Sequence, residues 1–146
     1  MNQDFVEMLS ALSGTGTEFL VVGAHALAVH ARPRATGDLG IWLHGTPEIA
    51  ERAWRALREF GAPLGQISRD ELCIPGVVYQ LGVVPNRIDL LTSLTGLDFA
   101  GAWSRRSSLR IGELTVPVLG KADLILNKRA VGRPQDLADV AELERS

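Results

Sequence analysis

The stretch FLVVGAHALAVHARPRATGDLGIWL, Phe19 to Leu43, decides the fold. It reads as a short apolar strand (Phe19, Leu20, Val21, Val22), a tight turn at Gly23-Ala24-His25, a helix of small residues, and a second strand approached through Thr36-Gly37 and ending at Leu43. On that second strand Asp38, Gly40 and Trp42 fall on one face and Leu39, Ile41 and Leu43 on the other, so an acid is held on a stiff element beside the turn at Gly23. A strand that ends in glycine lets backbone N–H groups approach a phosphate, and a nearby strand carboxylate can hold the metal that neutralises it. The pairing points to nucleotide chemistry.

Working outward, the residues before this stretch form an amphipathic helix, with Phe5, Met8, Leu9 and Leu12 at helical spacing. Ser13-Gly14-Thr15-Gly16-Thr17 follows that helix and opens a strand, the reverse of what a dinucleotide-binding loop requires, and is read as a turn. His25 and His30 read as packed or hydrogen-bonded residues, and Arg32-Pro33-Arg34 ends the small-residue helix, with either arginine available to solvent or to a phosphate. After the Asp38 strand, Thr46-Pro47-Glu48 is a helix start: threonine caps, proline fits the first turn and glutamate complements the dipole. Ile49, Ala53, Trp54, Leu57 and Phe60 make the apolar stripe and Gly61 ends it.

Gln66 to Pro75 shows no clear period and reads as loop, with Cys73 a small packed hydrophobe. Val77–Leu81 and Arg87–Leu91 read as strands; on the second, Arg87, Asp89 and Leu91 share a face. Asp89 is an acid within an apolar run, where an unpaired carboxylate is expensive, so it needs either a metal or a salt bridge with Arg87 or a neighbour. Leu97 to Trp103 reads as a short helix with Asp98 in its first turn. Arg105, Arg106 and Arg110 lie around the following loop and strand, either as a shelf for an acceptor nucleic acid or as solvated charges. Leu109–Ile111 and Leu114–Leu119, joined by Gly112-Glu113, form a hairpin, and Pro117 argues for an edge strand. Two helices close the chain, Lys121 to Ala130 and from Gln135 onward. Leu124, Ile125 and Lys128 share a face of the first, and Asp136 and Asp139 lie one turn apart on the second.

The bulk numbers set limits. A chain of 146 residues with 46% hydrophobic residues has the size and the core of one domain, residues 1–146. With 15 Lys+Arg against 17 Asp+Glu, a strongly basic nucleic-acid binder is excluded, though a local basic patch is not. The single Cys73 excludes an intrachain disulfide and a cysteine zinc site, in keeping with a reducing cytosol. No apolar run reaches the ~18 residues of a membrane span, and Met1-Asn2-Gln3-Asp4 lacks the basic start of a signal peptide. The expectation is a soluble, cytoplasmic, single-domain protein with no membrane partner.

Four blocks carry a family resemblance: Gly23-Ala24-His25-Ala26-Leu27-Ala28-Val29-His30, Pro33-Arg34-Ala35-Thr36-Gly37-Asp38-Leu39, Arg87-Ile88-Asp89-Leu90-Leu91, and Asn127 to Val140 with Lys128, Asp136 and Asp139 inside it. In order and spacing they resemble the small bacterial nucleotidyltransferases of the polymerase beta superfamily, and within it the abortive-infection and toxin-antitoxin group. The resemblance implies an α/β (α+β) nucleotidyltransferase fold, a mixed sheet with flanking helices. It implies magnesium, with manganese as a substitute, and transfer of a nucleoside monophosphate from a nucleoside triphosphate to a hydroxyl on tRNA, protein or a small molecule. A cognate antitoxin would be a partner.

By the same resemblance Asp38 and Asp89 bind metal. Gly23 and Ala24 cradle the triphosphate, Lys128 meets it, and Asp136 and Asp139 belong to the active site. The alternative for the last three is an ion-paired staple between the terminal helices. One position departs from the pattern: the family carries two aspartates flanking one residue on the second strand, and here the second is Gly40. That leaves open an impaired enzyme, or a catalytically inactive nucleotide-binding or protein-interaction module on the same fold. A dinucleotide-dependent dehydrogenase is disfavoured, because no G-x-G-x-x-G follows a strand.

Overall fold

A computed structural model of the chain describes residues 1–33 and 37–146. Arg34, and Thr36 at the approach to the second strand, lie outside the described residues. In chain order the elements are α1 (Gln3–Gly14), β1 (Phe19–Val22), α2 (Gly23–His30), β2 (Asp38–Leu43), α3 (Pro47–Phe60), a 3-10 turn (Arg69–Cys73), β3 (Val78–Leu81), β4 (Arg87–Leu91), α4 (Phe99–Ser104), β5 (Ser107–Ile111), β6 (Leu114–Val118), α5 (Lys121–Val131) and α6 (Pro134–Arg145). The strands form one mixed sheet in the order β3-β4-β2-β1-β6-β5. β2 runs antiparallel to β1 and parallel to β4, and these two ladders carry the register that matters below.

Local chemistry accounts for the elements. Asn2 caps α1, Thr46 caps α3 with Pro47 behind it, and Gly61 and Gly132 take the left-handed conformation that stops α3 and α5. Leu39, Ile41, Leu43, Ile88 and Leu90 form one face of the central strands and are all buried, together with Met8, Leu9 and Leu12 of α1 and Ala53 and Leu57 of α3. Each buried leucine or isoleucine contributes ~1.5–3 kcal/mol of hydrophobic stabilisation against the entropy of ordering the chain. On the opposite face Trp42 meets Phe99 of α4 edge-on, with ring centroids 5.0 Å apart.

Three expectations need correction. The Gln66–Pro75 segment is not merely loop: Ser68 and Glu71 form a capping box around the 3-10 turn, and Ile67 and Leu72 enter the core. Asp98 precedes α4 as its N-cap, accepting a hydrogen bond from the Gly101 N–H at 3.0 Å. Pro117 does not mark an edge, because β6 lies between β1 and β5. Counting from the tight Ile111↔Leu114 closure, Ser108↔Pro117 is a pair without hydrogen bonds, so the proline nitrogen turns away from β5. On its other side β6 meets β1 in register at Val118, past the proline.

Candidate active site

The site grows from three neighbouring strands. Gly40 is paired with Val22 of β1 on one side and with Asp89 of β4 on the other, and Asp38 is paired with Arg87. Paired residues share a face of the sheet, so Asp38, Gly40, Arg87 and Asp89 point the same way. The chain leaves β1 at Gly23, whose φ of +69° suits glycine, and starts α2 level with Asp38. Val22, in the N-cap position, provides no side-chain hydrogen bond, so no side chain at that position occupies the first N–H groups of α2. Gly23 and Ala24 thus stand at the start of α2, beside the strand that carries Asp38.

Arg87 sits between the two acids. Its Nη2 donates to Asp38 Oδ2 at 2.9 Å and to Asp89 Oδ2 at 3.2 Å. Its Nε lies 3.1 Å from Asp89 Oδ1 but is not aimed at it, and both atoms are buried without a hydrogen bond. Sequence parity placed Arg87 on the face of Asp89; its reach to Asp38 depends on the β2–β4 register, which no local pattern encodes. Burial pushes the Asp89 carboxyl above its ordinary range, the Arg87 charge and hydrogen bond pull it back, and the Asp38 charge pushes it further up. The charge of Asp89 in turn raises Arg87.

His25, in the first turn of α2, packs edge-on against Phe5 with ring centroids 5.6 Å apart. Burial lowers its pKa, opposed by the charge of Asp38 and by a hydrogen bond to the Asp38 backbone, while its Nδ1 is buried without a partner. His30 makes the packed contact expected of it, a 2.8 Å hydrogen bond to the Leu119 carbonyl. Gly40 is crowded: a Cβ there would lie 3.1 Å from Val22 Cγ2, so any side chain requires that methyl to give way.

The C-terminal candidates gather in a second cluster between α5 and α6. The Lys128 ammonium is buried, 2.9 Å from Asp139 Oδ2 and 3.8 Å from Asp136 Oδ1. Arg133 reaches the same Asp136 at 2.7 Å, and this hydrogen bond holds the carboxyl below the ordinary carboxylate range against the opposing effect of burial. The ion-paired staple between the helices is therefore present. α2 packs on both α5 and α6, and Arg32 beyond its end pairs with Glu142 at 2.8 Å.

The three arginines around β5 are exposed, and each has a contact within the chain. Arg105 is held by both oxygens of the buried Asp123, Arg106 lies over the Trp103 ring at 4.0 Å, and Arg110 donates to the Gly112 carbonyl. A depression at the far end of β2 is lined by Glu18, His44, Glu48 and Arg52, which pair among themselves.

Asp38 and Asp89 offer hard oxygen donors of the kind magnesium prefers, and the buried Asp89 Oδ1 without a hydrogen bond is an acceptor with capacity to spare. The fit is for a lightly held ion. Among the described residues no group of three or more His, Cys, Asp or Glu side chains converges as a metal site. Gly40 supplies no oxygen, and a guanidinium already shares the two carboxylates.

No protein-family model and no curated protein matches the sequence. Solved structures do match. One is the lincosamide antibiotic adenylyltransferase LnuA bound to lincomycin, with a TM-score of 0.62 at 12% identity over 99% of this chain and 96% of that one. Another is a candidate nucleotidyltransferase from Thermotoga maritima, TM1012, with a TM-score of 0.64 at 12% identity over 97% of this chain and 90% of that one. The chain shares the α+β fold of these two structures, a mixed sheet with flanking helices, as the sequence resemblance implied.

Proposed function

We propose that this protein is a nucleotidyltransferase that moves a nucleoside monophosphate from a nucleoside triphosphate to an acceptor hydroxyl. One observation carries the reading: an open helix start at Gly23-Ala24 stands beside two carboxylates, Asp38 and Asp89, that adjacent parallel strands present on one face. A helix start of this kind binds phosphate through backbone N–H groups. The acceptor oxygen attacks the α-phosphorus in line, the bond to the β-phosphate oxygen breaks, and pyrophosphate leaves. Asp38 and Asp89 would hold magnesium or manganese, which when bound stabilises the charge on the attacking and leaving oxygens. Asp89, the more buried acid, would face the acceptor hydroxyl, and Gly23 with Ala24 would fix the triphosphate. Lys128 would add its charge to the phosphates on giving up Asp139, and Asp136 and Asp139 would position it.

Gly40 removes one expected carboxylate, and losing a few kcal/mol of transition-state stabilisation slows a reaction by two or more powers of ten. It favours a second reading, an inactive module that binds nucleotide or a partner protein on the same fold. The acceptor classes are a tRNA end, a protein hydroxyl and a small molecule; the neighbour LnuA, an antibiotic adenylyltransferase, adds lincomycin to the trial set. A tRNA or protein acceptor would suit a cytoplasmic toxin held by a cognate antitoxin.

The test is transfer of α-labelled nucleotide, each of the four triphosphates in turn, to total tRNA, cell protein and lincomycin, with magnesium or manganese. The chain is run beside Gly40→Asp and beside Gly40→Asp combined with Asp89→Ala. Labelling by Gly40→Asp alone, lost with Asp89→Ala, identifies an enzyme weakened at one position and names the acceptor. Nucleotide binding without labelling by any of the three supports the inactive module. Labelling that persists with Asp89→Ala refutes the assignment of Asp89.

A further inference from the structure

We propose that the outer edge of β3 is a docking strand for an extended, basic segment of a partner protein. The segment adds a strand to the sheet and lays a lysine or arginine into a hollow beside the end of β3. Leu81 and Ile88, paired across β3 and β4, line that hollow, whereas Gln80 and Asp89 pair on the other face of the sheet. The docking surface therefore lies outside the proposed reaction and does not depend on it.

Two independent observations meet at this edge. The first is an unguarded strand. β3 ends the sheet on its side, and the Thr92 N–H donates to the Val77 carbonyl at 3.0 Å. In the alternating antiparallel ladder Val77, Tyr79 and Leu81 thus turn their backbone groups to β4, and Val78 and Gln80 turn theirs outward. Exposed edges are ordinarily blunted by charge, because their open N–H and C=O groups accept another strand. No charged residue occurs from Ile74 to Asn86, and Ile74, Val78, Val83 and Val84 are all exposed there. The opposite edge, β5, carries Arg110.

The second is the hollow, about 420 Å³, walled by Phe60, Pro63, Leu81, Val83 and Ile88, with Asp4 in its lining. Asp4 is half-buried, and its carboxylate makes no ion pair or hydrogen bond among the described residues. Asn2 braces the hollow: its amide donates to the Pro85 carbonyl at 3.2 Å and to Asn86 Oδ1 at 3.0 Å, tying the loop after β3 to the start of α1. Side chains alternate between the faces of a strand, so a residue docked opposite Leu81 points to the face of the hollow. Apolar walls with one acid match lysine or arginine, which bury their stems on apolar surface and keep the charge at a polar end. A glutamate there would meet Asp4 as a like charge. The same charge argues against a second copy of β3 as the occupant, since the stretch from Ile74 to Asn86 has no cation to offer.

Amide NMR of the full chain tests the proposal, because it detects even millimolar binding residue by residue. The probes are a short capped threonine–valine peptide with one central lysine, the same peptide with glutamate in place of the lysine, and hexylamine. The lysine peptide is expected to shift the Val78 and Gln80 amides and slow their exchange, and to bind about fivefold or more tightly than the glutamate peptide. Asp4→Asn is expected to remove that preference and keep the binding. Val78→Pro, which deletes an outward N–H and leaves the bonds to β4, is expected to abolish binding with the β2 amides unmoved. No shift at Val78 and Gln80 with millimolar lysine peptide, or equal affinity for the two peptides, overturns the proposal, and neither result needs a variant to fold. Hexylamine shifting the hollow while neither peptide moves the β3 amides makes it a pocket for small cations and overturns strand docking. Shifts along β3 that follow protein concentration without any probe make a second copy the occupant and overturn it too.

Discussion

Replacing Lys128 by methionine keeps the length and apolar stem of the side chain and removes only its charge. The ammonium is 2.9 Å from Asp139 and 3.8 Å from Asp136, and all three residues are buried. Breaking a buried ion pair from one side costs ~3–5 kcal/mol when the remaining charge is left uncompensated. Here Asp136 keeps Arg133 at 2.7 Å and Asp139 is not left without a partner, so both charges stay partly compensated and the expected loss is about 2–3 kcal/mol. For a chain near 150 residues this lowers the melting temperature by about 4–12 °C, at ~2–4 °C per kcal/mol. Thermal and urea unfolding of the chain, Lys128→Met, Asp139→Asn and the double variant measure it. The two single effects should fail to add, with a coupling of ~1 kcal/mol or more. A Lys128→Met melt within 1 °C of the parent, or strict additivity, would refute the claim that this pair staples α5 to α6.

Three further outcomes follow from the same geometry. Gly40→Asp should destabilise by ~1–3 kcal/mol, because its Cβ must displace Val22 Cγ2 from 3.1 Å, and Val22→Ala should recover part of that in urea titrations. Asp136 is held below the ordinary 3.8 by Arg133, so its ionised form stabilises the fold above the unfolded value, and that contribution is lost as pH falls through the lower, folded one. Stability followed from pH 5 downward should therefore fall less steeply in Asp136→Asn, from a lower starting level. Arg105→Ala should lower stability by stranding the buried Asp123, with Arg105→Lys recovering only part, since an ammonium lacks the planar fork that meets both oxygens; chemical denaturation reads both.

What was legible in the sequence is what local rules encode. The parity of β2 and of β4 placed Asp38 with Gly40 and Arg87 with Asp89, and Thr46 and Gly61 bounded α3. The helical spacing of Lys128, Asp136 and Asp139 was compatible with the ion-paired staple that α5 and α6 form, whereas their active-site reading came from the family resemblance. What was not legible depends on pairings between distant segments. Pro117 follows a sound rule about edge strands, but whether its missing N–H matters is decided by which partner faces it, and β1 meets β6 only beyond it. The Arg69–Cys73 turn is too short to show a period. Arg87 was visible as a salt-bridge partner for Asp89, yet its hold on Asp38, and the crowding of Gly40 by Val22, require the register of three strands.

The sheet order has a consequence for how the molecule breathes. Asp38 and Asp89 are fixed relative to each other by five registered pairs between β2 and β4, inside the sheet. β4 is separated from solvent on its outer side only by β3, four residues long, with Val78 and Gln80 exposed and Val83 and Val84 exposed just beyond it. Short edge strands with few buried contacts open at low free energy, whereas paired central strands open only with the whole domain. Amide exchange should therefore be fast along β3 and slow along β2. Fraying of the edge changes who can approach Asp89 and leaves the distance between the two acids untouched, so admission and geometry are tuned by different parts of the same sheet.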